Sequence, residues 1–95
     1  MSDAGDGAWR VTCAQIAVEA ADVPDNVDRA VAAVERAARD GADLVILPEV
    51  FTVGYFAFDA YARTAEPLDG GTMTRLAATA AATDCHLLAG TFVED

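Results

Sequence analysis

The chain has 95 residues and a mass of 9.9 kDa, with 16 acidic residues against 6 basic ones and a formal net charge of −10. A pI near 4.1 excludes nucleic acid and anionic membrane as expected partners, because like charges oppose association. No apolar run approaches the ~20 residues of a membrane span, and residues 1–7 are acidic and polar where a secretory signal is basic and then apolar. The expected compartment is the cytoplasm.

All six cations are arginines, and the sequence contains no lysine. Hydrophobic residues make up 54%, but 22 of the 95 positions are alanine, so the apolar content is small in volume. Aspartate supplies 11 of the 16 acids. That balance suits a salt-rich cytoplasm, where screening offsets self-repulsion. It equally suits a GC-rich genome that codes arginine and alanine in place of lysine and larger aliphatics. Cys13, Cys85 and the single histidine, His86, lack the spacing of a zinc site, which takes about four protein ligands, or three and a water. A reducing cytoplasm disfavours a disulfide, and the two cysteines read as buried thiols.

Residues 1–8 read as a disordered start, and 9–95 as one continuous unit. Residues 9–17 alternate as a strand whose two faces are both largely apolar, which predicts cover on both sides. A turn through Ala21 and Pro24 leads to a helix over residues 25–40. There Val27, Ala30, Val31, Val34, Ala37 and Ala38 form one apolar stripe. Asp25 and Asp28 suit the positive end of its dipole, and Arg36 and Arg39 the negative end. Glu35 and Arg39 are spaced for an ion pair, and Gly41 for a terminator.

Leu44, Val45, Ile46 and Leu47 form a short, wholly apolar run with β-branched Val45 and Ile46 at its centre, the mark of a strand buried on both faces. Strand, helix and strand together make a βαβ unit. Pro48 removes a backbone donor and ends the ladder. Glu49 therefore lies just beyond the carboxyl end of a central strand, the edge at which open α/β sheets bind ligands. Residues 50–70 are irregular, with five of the seven aromatics between Phe51 and Tyr61. Asp69, Gly70, Gly71 and Thr72 make a turn and cap. A second helix follows over residues 73–83, with Met73, Leu76, Ala77, Ala80 and Ala81 inward, and a third strand over 86–93. The order β-α-β-loop-α-β places the chain in the α/β class.

Glu49 is the first candidate for chemistry. Four apolar residues precede it, and Val50 and Phe51 follow; partial desolvation there would suit a general base. Tyr55, after Gly54, is placed to line a pocket beside it, whereas Phe51, Phe56 and Phe58 read as core. The glycines at 70 and 71 read as a capped turn, since a phosphate loop calls for more glycines and usually a lysine. Neither cysteine sits at an elbow or beside a cation that would stabilise a thiolate.

The string Asp43-Leu44-Val45-Ile46-Leu47-Pro48-Glu49-Val50-Phe51, with Gly54-Tyr55 after it, resembles the first active-site motif of the nitrilase (carbon–nitrogen hydrolase) superfamily. Ala14-Gln15, Asn26, Gly41-Ala42, the run from Ala65 to Gly70, and Leu88-Ala89-Gly90 are similar to that family in the same order. The resemblance implies the N-terminal part of an αββα sandwich, in a family of homo-oligomers. It also implies a Glu-Lys-Cys triad, with neither metal nor cofactor, acting on a small amide, nitrile or N-carbamoyl substrate. In such a triad the cysteine attacks to give a thioester or thioimidate. The glutamate serves as general base, and the lysine stabilises the tetrahedral intermediate.

Glu49 matches the first member. The family's lysine and cysteine lie downstream of the third strand, so residues 9–95 read as a partial domain truncated before both, inactive by itself. Two other readings compete. One is a non-catalytic module that binds or regulates a full-length relative. The other is a small flavodoxin-like ligand-binding domain, which lacks the expected phosphate loop.

Overall fold

The computed structural model describes residues 8–90. Residues 1–7 of the expected disordered start, and 91–93 of the expected third strand, lie outside that range. Three strands, β1 (Val11–Cys13), β2 (Leu44–Ile46) and β3 (His86–Leu88), pair in parallel in the order β1-β2-β3. Helix α1 (Val23–Arg39) connects the first two strands. Between β2 and β3 come a 3-10 turn (Phe58–Ala60), the short helix α2 (Tyr61–Thr64) and helix α3 (Gly71–Thr83). This is an α/β arrangement built from two successive crossovers. The strands are shorter than the apolar runs suggest, although the pairing continues past β1 through the Ala14 amide, which donates to Ile46 O at 2.9 Å.

Helix α1 begins at Val23, ahead of the expected Asp25. Asp22 caps it by accepting the Asp25 N–H at 3.2 Å, and Pro24, lacking an N–H of its own, costs no hydrogen bond in the first turn. Its stripe packs as the spacing predicts. Val27, Ala30, Val31, Val34 and Ala37 join Val45, Leu47, Phe51, Leu76 and Cys85 in one core. Gly41 ends the helix with φ +94°, a conformation that only glycine adopts without strain. The i,i+4 ion pair forms at Asp25–Arg29 (2.9 Å) and not at Glu35–Arg39. A second pair, Arg75–Asp28, ties α3 to α1 on the surface.

Helix α3 turns a different face inward from the one expected. Thr72, Leu76 and Thr79 are buried, Met73 and Ala80 are half-buried, and Ala77 and Ala81 face solvent. With alanine and threonine filling most of the helix, the apolar signal is nearly uniform around it. Leu76, its one large aliphatic besides Met73, sets the orientation. Thr79 satisfies its buried hydroxyl on the helix itself, at Arg75 O 2.9 Å away, whereas Thr72 donates to Glu66 outside the helix.

The sheet is covered on one face only among the described residues. In register, Val11 lies beside Leu44 and His86, and Cys13 beside Ile46 and Leu88. Val11, Cys13, His86 and Leu88 from this row are exposed, and Leu44 and Ile46 half-buried. The opposite row, Thr12, Val45 and Leu87, faces the helices. This corrects the expectation that β1 and β2 are enclosed on both sides. Strand order follows chain order, so same-handed crossovers put α1 and α3 on the same face. Trp9 lies across the bare face, its ring 5.0 Å from that of His86. The expectation of two buried thiols is half right: Cys85 is buried on the helix side, whereas Cys13 is exposed on the bare side.

Candidate active site

The carboxyl edge of the sheet gathers two loops, residues 14–22 after β1 and 47–54 after β2. The ladder ends where Leu47 N–H donates to Leu88 O at 2.9 Å, since Pro48 has no N–H to continue it. Beyond Glu49 the chain makes a tight turn, in which the Gly54 amide donates to Val50 O at 2.9 Å. Phe51, Thr52 and Val53 are all buried, so the turn is anchored in the core. Glu49 is thus held between a strand end and a buried turn.

Asn26 fastens the two loops together. It has no exposed surface, and its amide is fully used. Oδ1 accepts from Glu19 N–H at 2.7 Å, while Nδ2 donates to Glu19 O at 2.7 Å and to Thr52 O at 2.9 Å. Beside it the Ala21 amide donates to Val53 O at 2.7 Å. In the sequence Asn26 stands out only as one of the residues that carry the family resemblance. The available signal was its place four positions before Ala30, which puts a polar residue on the apolar stripe. A polar side chain there has to be hydrogen-bonded once buried.

Two non-glycine residues here hold the left-handed conformation, Ala21 at φ +61° and Val50 at φ +47°. For a β-branched residue this is costly. Such conformations persist only where the surroundings over-determine them, commonly at functional sites. Gly90, after β3, closes the third side. At φ +70° its backbone approaches so closely that an added Cβ would lie 2.4 Å from Pro48 O. Any side chain at position 90 would push Pro48, and Glu49 with it, off the sheet edge.

Glu49 itself is exposed. The expected partial desolvation is absent among the described residues: Phe51 points into the core, and Val50 is half-buried. Tyr55 is 55% exposed and lines a separate cavity of about 530 Å³ with Val18, Ala20, Gly54, Phe56 and Arg63. Glu49 does not line it; the two are joined through the Val50–Gly54 hydrogen bond. Phe51 is core, as expected, but Phe56 (82% exposed) and Phe58 are not. Phe56, Phe58 and Tyr61 instead meet one another.

The capped turn before α3 has an identifiable capper. Glu66 accepts from Thr72 N–H at 2.9 Å and from the Thr72 hydroxyl. A carboxylate of the chain itself therefore occupies the N-terminus of α3.

The profile of the carbon-nitrogen hydrolase family matches residues 10–95. The chain belongs to the carbon–nitrogen hydrolase family. The resemblance to the nitrilase superfamily, carried by the segment around Glu49, is thereby borne out. A comparison with individually characterised proteins found no match. In this carbon–nitrogen hydrolase chain, Cys85 is core, Cys13 lies within β1, and the sequence has no lysine.

Proposed function

We propose that this chain supplies the general base of a hydrolase that cleaves non-peptide carbon–nitrogen bonds, in amides, nitriles or N-carbamoyl compounds. Glu49 is that base. The observation that carries the reading is its position at the carboxyl edge of the central parallel strand, within the segment matched by the family profile. The clamp by Asn26, the strained Val50 and the close approach of Gly90 support it, because each restricts where the Glu49 backbone can go.

The chemistry asks Glu49 to take the proton of an attacking thiol and then of water. A lysine holds the developing oxyanion, and a cysteine carries the acyl group as a thioester. Residues 9–95 form part of the catalytic domain, and the lysine and cysteine come from chain beyond Asp95. Those same segments bring a second sheet onto the bare face of the first, completing an αββα sandwich. The apolar row of Val11, Ile46 and Leu88 suits that cover, and enclosure would supply the desolvation that Glu49 lacks here. Tyr55 contributes to substrate binding, the assembled enzyme is a cytoplasmic homo-oligomer, and the triad works without a cofactor.

Reading the coding sequence past codon 95 tests this directly. The expected result is a continuation, in frame or frameshifted, with a lysine in a following strand and a cysteine at a strand-to-helix elbow. Unrelated sequence, or a native stop at that codon in a monodisperse, cooperatively melting protein, would overturn it in favour of a non-catalytic module that binds or regulates a full-length relative.

A further inference from the structure

The segment from Gly54 to Arg63 exposes aromatic surface that the core does not need. Tyr55 is 55%, Phe56 82% and Phe58 63% exposed. They are stacked edge-on in sequence, with ring centroids 5.0 Å apart for Tyr55 and Phe56 and 6.2 Å for Phe56 and Phe58. Tyr61 extends the row, 5.6 Å from Phe58, and its hydroxyl donates to Tyr55 O at 2.7 Å. That bond ties the two ends of the segment, so the row is a fixed wall. Exposed aromatic surface in contiguous rows marks binding sites more often than solvent-facing filler.

Tyr55 and Phe56 of this row line the cavity of about 530 Å³, together with Val18, Ala20 and Ala21 of the loop after β1 and Gly54. That volume is the size of a small-molecule site. The lining residues are apolar apart from Asp59 and Arg63. Arg63 donates one hydrogen bond to Asp59 O at 3.2 Å. It has no carboxylate partner among the described residues, unlike Arg29 and Arg75. A guanidinium spends only part of its five-donor fork on one carbonyl, and the rest is shaped for a carboxylate.

We infer that this cavity binds a small organic acid with an aromatic or bulky apolar body, the body against Tyr55 and Phe56 and the carboxylate on Arg63. The inference rests on the proposed function in one respect: for a hydrolase acting at Glu49, it assigns substrates whose amide, nitrile or carbamoyl group is attached to such an acid. The cavity and Glu49 flank the same turn, closed by the hydrogen bond from Gly54 N–H to Val50 O.

Binding to the protein as its gene encodes it, carrying Glu49→Gln, can be measured without turnover, which separates this inference from the hydrolase reading. In a titration of ¹⁵N-labelled protein, phenylacetate should shift the amides of Gly54, Tyr55 and Phe56 and the Arg63 side-chain resonance in a saturable way. Phenylacetamide should bind about fivefold or more weakly, and benzylammonium weaker still. Arg63→Gln should bring phenylacetate down to the level of phenylacetamide, and Phe56→Ala should weaken both. Both side chains are exposed, so neither variant threatens the fold. Absence of saturable shifts, equal binding of the acid and the amine, or an Arg63→Gln variant that still prefers the acid would overturn the inference.

Discussion

Asn26 concentrates more structural consequence than any other polar side chain at the sheet edge. Replacing it with alanine leaves Glu19 N–H, Glu19 O and Thr52 O without their partner at a buried position. The expected cost is about 2–4 kcal/mol, since each orphaned group retains its desolvation penalty. Asn26→Asp should be no better, because a carboxylate oxygen would then face two carbonyls in place of the donating amide. Urea denaturation measures both, and a change below about 0.5 kcal/mol for Asn26→Ala would show that the clamp is not holding the loops. At this scale the sequence was uneven in what it disclosed. Glu49 could be located because Pro48 and the apolar run before it define a strand end. Its exposure could not, because burial depends on which way Val50 turns, and φ +47° at a valine is a tertiary outcome that no local preference favours. Phe56 and Phe58 misled for the same reason, since hydrophobicity alone does not say whether a core lies within reach.

At the scale of elements, α1 was the most legible, because its valines stand against charged residues with a clear helical period. Helix α3 was legible as a helix but not in its orientation, since alanine and threonine give little contrast between faces. Its start depends instead on Glu66, outside the helix. Glu66→Ala removes both bonds to Thr72 and should cost about 1 kcal/mol, the usual worth of an N-terminal cap. Glu66→Gln should recover part of that, through the one oxygen it keeps. Amide hydrogen exchange should accelerate at the first turn of α3 and leave β2 and α1 unchanged. Uniform acceleration throughout the chain would instead mean that Glu66 supports the whole fold and not this helix end. The parallel order of the strands followed from the βαβ pattern, but the one-sided cover did not. Both faces of β1 carry apolar residues, and an apolar row reads alike whether a helix, a second sheet or solvent lies over it.

For the whole molecule, the absence of lysine is a property of composition that becomes a statement about chemistry. The proposed function sets a lysine and a cysteine beside Glu49, whereas the sequence of this family member has no lysine and places Cys13 in β1 and Cys85 in the core. A sheet face left uncovered among the described residues and the exposure of Glu49 are both accounted for by one proposal: that further chain covers the sheet and encloses Glu49. The most direct test is the activity of the gene product that carries this chain together with its continuation. It should be assayed on amide, nitrile and N-carbamoyl compounds with and without Glu49→Gln. That substitution is isosteric and falls at an exposed position, so the fold and the thermal midpoint should be unchanged. Loss of the base should lower kcat at least about a hundredfold. Turnover within about twofold of the parent in the Glu49→Gln protein, or no hydrolysis of any of these compounds by the parent, would contradict the account.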